Sequence, residues 1–370
     1  MRRALRLARR GLGRTSPNPM VGAVLVRGDQ LLGEGWHRRA GGPHAEIEAL
    51  EAARRAGRRP RRATLYVTLE PCSTHGRTPP CTDAIRAAGI RRVVVAATDP
   101  NPAHAGRGFA LLRAAGLEVV TGLLAAEAER LNEAFNHWIV HRVPFVTLKA
   151  AMTLDGKIAT RAGDSQWITS PAARRWAMRR RRAVDAILVG VNTVRTDDPA
   201  LTVRRRDGAP LPAARQPRRI VLDSRARTPL TARLVTDAFA ARTLIVTTAA
   251  APVRRRRALA ARVRVIEAPA DGGRVDLRWL LRLLGAEEIT HLLVEGGGLV
   301  QGAFADAGLV QRLDAYYAPL IVGGRDAPRA VAGRGAGSRA EALRLHAVET
   351  RRVGPDLFLT ARVSSHHVSD

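Results

Sequence analysis

Short apolar runs broken by turn residues, with helical stretches between them, make up most of the chain. Residues 21–26 form one such run, Gly28 and Asp29 supply a turn, and residues 31–36 form the next, which predicts a β-hairpin. Upstream, residues 2–10 read as an amphipathic first helix with Leu5 on its buried face. Residues 44–56 carry apolar positions at helical spacing and stop at Gly57. Residues 63–69 are rich in strand-forming types, 81–88 form a helix closed by Gly89, and 93–97 form the next strand. Residues 106–115 and 117–120 add a further helix and strand. This alternation predicts a layered α/β sheet.

Residues 124–141, with Glu127, Glu129, Arg130, Leu131, Phe135 and Trp138, predict one connecting helix, and Pro144 marks a boundary. A second series of strands follows at 145–148, 186–189, 219–222, 243–246 and 289–294, with helical stretches between most of them. A largely parallel sheet covered on both faces is expected. Residues 204–218, rich in Pro, Gly and Arg, are expected as a surface loop, and 364–370 as a disordered tail. The domains are therefore expected at 1–144 and 145–363.

Composition changes this picture little. A chain of 370 residues exceeds one ordinary core, and 46% apolar with 25% charged residues is a soluble globular balance. No apolar run approaches the ~18 residues of a membrane span. The first ten residues carry arginine throughout and offer no signal-peptide core, so a cytoplasmic location and no membrane partner are expected. The net charge of +28 suggests nucleic acid, but its distribution argues otherwise. Residues 1–144 hold 23 basic residues against 12 acids, and 145–370 hold 38 against 21, so no cationic block or tail stands apart. Steering of a phosphorylated small molecule is compatible with that field.

The candidate chemistry is concentrated. The only two cysteines, Cys72 and Cys81, each follow a proline and lie downstream of His44-Ala45-Glu46. One imidazole and two thiolates would hold zinc and leave a fourth position for water, with Glu46 as a carboxylate that moves protons rather than binding metal. The ligands fall at predicted helix N-termini, where the dipole favours thiolate. A structural zinc site would want a fourth protein ligand. Two cysteines assigned to metal leave none for a disulfide, as in a reducing cytoplasm. In the second half, Glu295-Gly296-Gly297-Gly298 follows a strand and opens an apolar helix. Bare amides there suit phosphate, with a tight turn and close helix packing as the competing reading. The spacing is not the dinucleotide-binding G-x-G-x-x-G. The only two lysines, Lys149 and Lys157, sit close together, and the polar stretch 190–204 follows a strand, where open α/β sheets place ligands.

Together these residues resemble the bifunctional riboflavin biosynthesis deaminase-reductases over nearly the whole chain. The first half carries Pro17-Asn18-Pro19, Val21-Gly22, His37, Pro43-His44-Ala45-Glu46, Thr68-Leu69-Glu70-Pro71-Cys72, Pro80-Cys81 and Asp99-Pro100-Asn101-Pro102. The second carries Leu154-Asp155-Gly156-Lys157, residues 163–170, residues 197–204 and Glu295-Gly296-Gly297. Eight residues separate the cysteines, against two in the usual cytidine and tRNA-adenosine deaminase signature. One departure is visible: Thr74 stands where family members commonly have histidine after Cys-Ser.

The resemblance implies a cytidine-deaminase-like three-layer domain followed by a dihydrofolate-reductase-like α/β domain. It implies that the first removes the 2-amino group of a diaminopyrimidinone ribosylamine 5-phosphate and that the second uses NADPH to reduce the ribose to a ribityl chain. By similarity, Asn18, His37, Arg77 and Asn101 would contact pyrimidine or phosphate. Ala151, Trp167, Thr193, Asp197, Ser224 and residues 297–303, among them Gly297, Gly298 and Leu299, would line the NADP site. Ser165, Arg181, Leu201, Arg204 and Glu295 would hold the reductase substrate, the two arginines being suited to its phosphate. Lys149 would be an active-site residue paired with Glu295. A homo-oligomer is also expected. The competing reading, a nucleic-acid base deaminase with a basic second domain, lacks stacking residues in a chain with 4% aromatics.

Overall fold

The computed structural model describes residues 1–74, 79–102, 104–205 and 207–364. Two compact units divide the chain, Met1–Arg142 and Val143–Asp370.

The first unit is a five-stranded sheet in the order β2-β1-β3-β4-β5, with β1 at Gly22–Arg27, β2 at Gln30–Trp36, β3 at Thr64–Leu69, β4 at Arg92–Ala97 and β5 at Glu118–Thr121. β1 pairs antiparallel with β2 and β3, whereas β3, β4 and β5 run parallel. Helices α1 (Arg2–Ala8), α2 (Ala45–Arg55), α3 (Cys81–Ala87) and α4 (Arg107–Ala114) belong to the same unit. Alternating side chains explain the layering: Ala23 and Leu25, Leu65 and Val67, and Val93 and Val95 are all buried in one core with Ala49 and Ala53 of α2. Burying a side chain such as Leu65 contributes about 1.5–3 kcal/mol. Glycine decides how near α2 comes. A Cβ on Gly33 would lie 2.3 Å from the Ala49 carbonyl oxygen, and one on Gly35 would lie 2.6 Å from the Ala49 nitrogen. The hairpin thus lets α2 lie directly on it, which sets where His44 and Glu46 stand.

The single helix expected over 124–141 is two, α5 (Ala125–Leu131) and α6 (Glu133–His141), and both lie in the first unit. The break falls at Asn132, a buried residue at φ −110°, ψ 20°. Its Oδ1 accepts the Met20 amide at 2.8 Å and its Nδ2 donates to the Met20 carbonyl at 3.0 Å. Two tertiary hydrogen bonds outweigh one continued helical turn.

The second unit holds a nine-stranded sheet in the order β10-β9-β8-β7-β13-β6-β14-β16-β15. Its strands are β6 (Phe145–Thr153), β7 (Ala186–Gly190), β8 (Arg218–Leu222), β9 (Thr243–Thr247), β10 (Arg264–Glu267), β13 (His291–Val294), β14 (Arg312–Ala318), β15 (Leu345–Val353) and β16 (Asp356–Val363). A small hairpin, β11 (Ala270–Asp271) and β12 (Arg274–Val275), stands apart from the sheet. Pairing is parallel from β10 to β14 and antiparallel from β14 through β16 to β15. The connections carry α7 (Pro171–Arg181), α8 (Val191–Asp197), α9 (Arg233–Thr236), α10 (Val253–Ala260), α11 (Leu277–Ala286) and α12 (Gly298–Asp306).

Three expectations change here. The strand begun at Phe145 continues to Thr153 because β13 and β14 flank it, so Lys149 and Ala151 sit within a central strand. Segment 204–218 is only partly a surface loop. Gln216 is buried, and its amide accepts from the Val203 N–H at 2.7 Å and donates to the Val203 and Leu211 carbonyls at 3.0 and 2.8 Å. Of the expected tail 364–370, Ser364 pairs its amide with the Arg344 carbonyl at 2.9 Å, and 365–370 lie outside the described residues.

Candidate active sites

The metal-type site of the first unit is assembled from two helix starts and a strand end. His44 is the residue immediately before α2, Cys81 is the first residue of α3, and Cys72 follows β3 by three positions. Their donor atoms all lie within 4.8 Å of one another. His44 Nδ1 stands 3.3 Å from Cys81 Sγ and 3.5 Å from Cys72 Sγ. Tetrahedral zinc with ordinary Zn–N and Zn–S bonds separates such atoms by roughly 3.5 Å. The donor set therefore fits zinc. The thiols favour it too: the Cys81 hydrogen bond and His44 hold the Cys72 thiol down to about 4, while the neighbouring Cys72 sulfur pushes Cys81 up. Two adjacent thiolates repel, and a dication between them removes the repulsion.

Glu46 lies one residue into α2 and is buried beside these donors. Burial pushes its carboxyl up to about 7, against the pull of His44. An acid of that strength gives and takes protons near neutrality. Asn18 and His37, both expected to contact substrate, are hydrogen-bonded to each other. His37 is only 2% exposed; its Nδ1 is 3.0 Å from the Pro43 carbonyl, so that nitrogen carries the proton. Its Nε2 then accepts from Asn18 Nδ2 at 3.3 Å and fixes the amide's orientation. Asn101 lies in the segment after β4, its amide donating to Asp99 Oδ1 at 2.9 Å. Arg77 lies outside the described residues.

In the second unit, one open cleft of about 1880 Å³ is lined by Lys149, Ala151, Ser165, Trp167, Arg181, Thr193, Asp197, Leu201, Arg204, Ser224, Glu295, Gly297, Gly298 and Leu299. Of the residues expected in the reductase site, all but Gly302 line this cleft. A single small-molecule site takes roughly 300–1,000 Å³, so this cleft has room for two ligands. Its floor is a buried charge cluster. Arg181 donates Nε and Nη2 to the two oxygens of Glu295, both at 2.8 Å, and Nη1 to the Thr202 carbonyl at 3.2 Å. Lys149 Nζ stands 3.9 Å from Glu295 Oε2 and 5.7 Å from the centre of the Tyr316 ring. Burial alone would raise the Glu295 carboxyl, but Arg181 and Lys149 overcome it and hold it at about 2. Burial lowers the Lys149 ammonium below its ordinary value, with Glu295 pulling the other way. Arg181 is thus committed to Glu295, and Arg204, held only through Nε to Thr202 Oγ1 at 3.3 Å, is the less engaged guanidinium for a phosphate.

The glycines just before and within α12 have different causes. A Cβ on Gly298 would lie 2.2 Å from the Arg329 carbonyl oxygen, and one on Gly302 would lie 1.5 Å from that of Ala332. Close packing therefore explains both. Gly297 has an ordinary φ of −66° and nothing nearer than 3.9 Å to an added Cβ. Its bareness serves the open cleft and leaves the backbone accessible to a ligand. Sequence reasoning missed the β11–β12 hairpin, whose Asp271, Gly272, Gly273 and Arg274 line the same cleft. The Gly-Gly turn between two-residue strands was the available signal.

A zinc-fitting donor set beside a buried carboxyl, and a large open cleft at a mostly parallel α/β sheet, are the parts that a hydrolytic deaminase joined to a reductase requires. Residues 1–97 match the cytidine and deoxycytidylate deaminase zinc-binding region, and residues 144–359 match the RibD C-terminal domain. The riboflavin biosynthesis protein RibD of Bacillus amyloliquefaciens is 45% identical over 98% of this chain and 95% of its own length. RibD of Acinetobacter baumannii superposes with a TM-score of 0.86 at 37% identity, covering 98% of this chain and 97% of that one. A diaminohydroxyphosphoribosylaminopyrimidine deaminase/5-amino-6-(5-phosphoribosylamino)uracil reductase from Thermotoga maritima gives a TM-score of 0.81 at 35% identity, with 98% and 97% covered. The chain belongs to the RibD family of riboflavin biosynthesis proteins, with a zinc-binding deaminase domain and a reductase domain.

Proposed function

We propose that the first domain, residues 1–144, hydrolyses the 2-amino group of 2,5-diamino-6-(5-phosphoribosylamino)pyrimidin-4-one, and that the second, residues 145–363, reduces the ribosyl group of the product to ribityl. The observation that carries the reading is the convergence of His44, Cys72 and Cys81 within 4.8 Å beside the buried Glu46. Zinc held by those three residues supplies Lewis acidity toward water. Glu46 takes a proton from the attacking water and returns it to the departing amine, which leaves as ammonia. Asn18, oriented by His37, presents its amide to the pyrimidine, and Asn101 and Arg77 complete the substrate contacts.

NADPH bound in the cleft of the second domain would supply the hydride that reduces the ribosyl C1′. Lys149 holds the proton that the ring oxygen takes up as the ring opens. Glu295, kept ionised by Arg181, accepts hydrogen bonds from ribose hydroxyls, with Ser165 and Leu201 lining the same cleft and Arg204 toward the phosphate. The amides at Gly297 and Gly298 face the cofactor diphosphate, and Leu299, Ala151, Trp167, Thr193, Asp197 and Ser224 complete its surroundings. Among the described residues no helix is long and apolar enough to cross a membrane. We take the location as cytoplasmic and the assembly as a homo-oligomer, which light scattering checks. The experiment for the activity measures ammonia release from the diaminopyrimidinone and NADPH oxidation on its deaminated product. Turnover of neither would overturn the reading.

A further inference from the structure

Glu70 follows β3 directly and stands two residues before Cys72, with 5% of its surface exposed. Its carboxylate takes backbone amides. Asp99 and Gly106 donate to Oε2 at 3.2 and 3.0 Å, and Gly108 donates to Oε1 at 2.9 Å. These three residues flank Asn101. Asp99 in turn accepts the Asn101 amide on Oδ1 at 2.9 Å, so one chain of hydrogen bonds runs from Glu70 through Asp99 to Asn101. Two glycines allow this arrangement for different reasons: Gly106 holds a left-handed φ of +79° with open space around it, whereas a Cβ on Gly108 would lie 2.4 Å from the Pro71 carbonyl oxygen. Three donors on one group need an acceptor with two oxygens. A glutamine offers one oxygen and would turn an NH2 toward an N–H.

We propose that Glu70 is a positioning residue of the deaminase: it fixes Asn101 relative to His44, Cys72 and Cys81, and thereby sets the affinity for the pyrimidine rather than the zinc content. The inference rests on the reading of Asn101 as a substrate contact.

The test uses the full zinc-loaded chain with Glu70→Gln, Asn101→Ala and the double variant. Glu70→Gln raises KM for deamination by roughly tenfold, as expected for lost charge-assisted hydrogen bonds, and leaves kcat within about threefold. Its zinc content and its reductase activity stay at the wild-type level. If Glu70 acts through Asn101, the double variant has the KM of Asn101→Ala alone. Glu70→Asp, which keeps both oxygens one methylene back, recovers part of the loss; should Glu70→Gln not fold, it carries the same KM comparison and the same cycle with Asn101→Ala. A wild-type KM in the Glu70 variant beside a raised KM in Asn101→Ala overturns the proposal alone. So does zinc loss with a fall in kcat, or multiplication of the two effects in the double variant. An unchanged KM in Asn101→Ala overturns the substrate reading of Asn101 and the proposal with it.

Discussion

Single groups in this molecule act through the protonation state that their surroundings impose. Glu46 is held near 7 by burial, so it can carry a proton in both directions between water and amine. Glu46→Gln should keep zinc and lose deamination by about 100- to 10,000-fold, because the water is left without a proton shuttle. Zinc analysis and ammonia release check both halves, and reduction of already deaminated substrate should stay near normal. The glycines offer a second comparison. Gly297 borders open space, so Gly297→Val should fold normally and raise the apparent NADPH KM. Gly302 has a carbonyl oxygen 1.5 Å from where a Cβ would sit, so Gly302→Ala should lower stability by about 1–3 kcal/mol through overpacking. Thermal melts and cofactor titrations separate the two. The deaminase residues were legible because His, Cys and Glu at that spacing have few other uses. Glu70 and Asn132 were less so, because their roles are hydrogen bonds to backbone distant in sequence.

At the scale of elements, the central strands of the second unit carry a buried titratable histidine, hydrogen-bonded to a threonine, that the hydrophobic pattern conceals. His291 of β13 lies with Nε2 2.9 Å from Thr147 Oγ1 of β6. Burial, with the Arg312 charge beside it, lowers its imidazole well below the ordinary 6.5. The sign follows: a depressed folded value means that the neutral form stabilises the fold above pH 6.5, and this contribution is lost as pH falls through the folded value. Unfolding of the second unit should therefore ease below pH 6.5 by at most about 1.4 kcal/mol per pH unit from this group. His291→Gln, which keeps a partner for Thr147, should flatten that slope, and denaturant titrations between pH 4.5 and 7.5 measure it. Helix and strand positions in the first unit followed apolar spacing closely, while the break at Asn132 did not. Helix propensity through 124–141 is unbroken, and only Met20, 112 positions away, supplies the competing hydrogen bonds.

For the whole molecule, two compact units imply two activities that fail separately. Removal of zinc by a chelator should abolish ammonia release while NADPH oxidation on deaminated substrate continues, and parallel assays on one sample show it. The charge of +28 is spread over both halves, so binding to tRNA or single-stranded DNA should be weak, indifferent to sequence and steeply reduced by salt. Efficient deamination within an oligonucleotide, with none of the small phosphoribosyl substrate, would count against this.

By itself the sequence determined the chemistry of each half: the donor types, the proton carrier, the glycine turn before a helix and the alternation of strand and helix are local patterns in residue type. Tertiary structure decided what those patterns are for. It left open space beside Gly297 and packed Gly298 against the Arg329 carbonyl, although the two read alike in the chain. It turned Arg181 onto Glu295, and it set β14 and the antiparallel pair β16 and β15 beside β6. The physical reason is that apolar periodicity reports which face is buried, whereas the partner of a buried charge or a bare amide depends on segments more than 100 residues apart brought together by the sheet order.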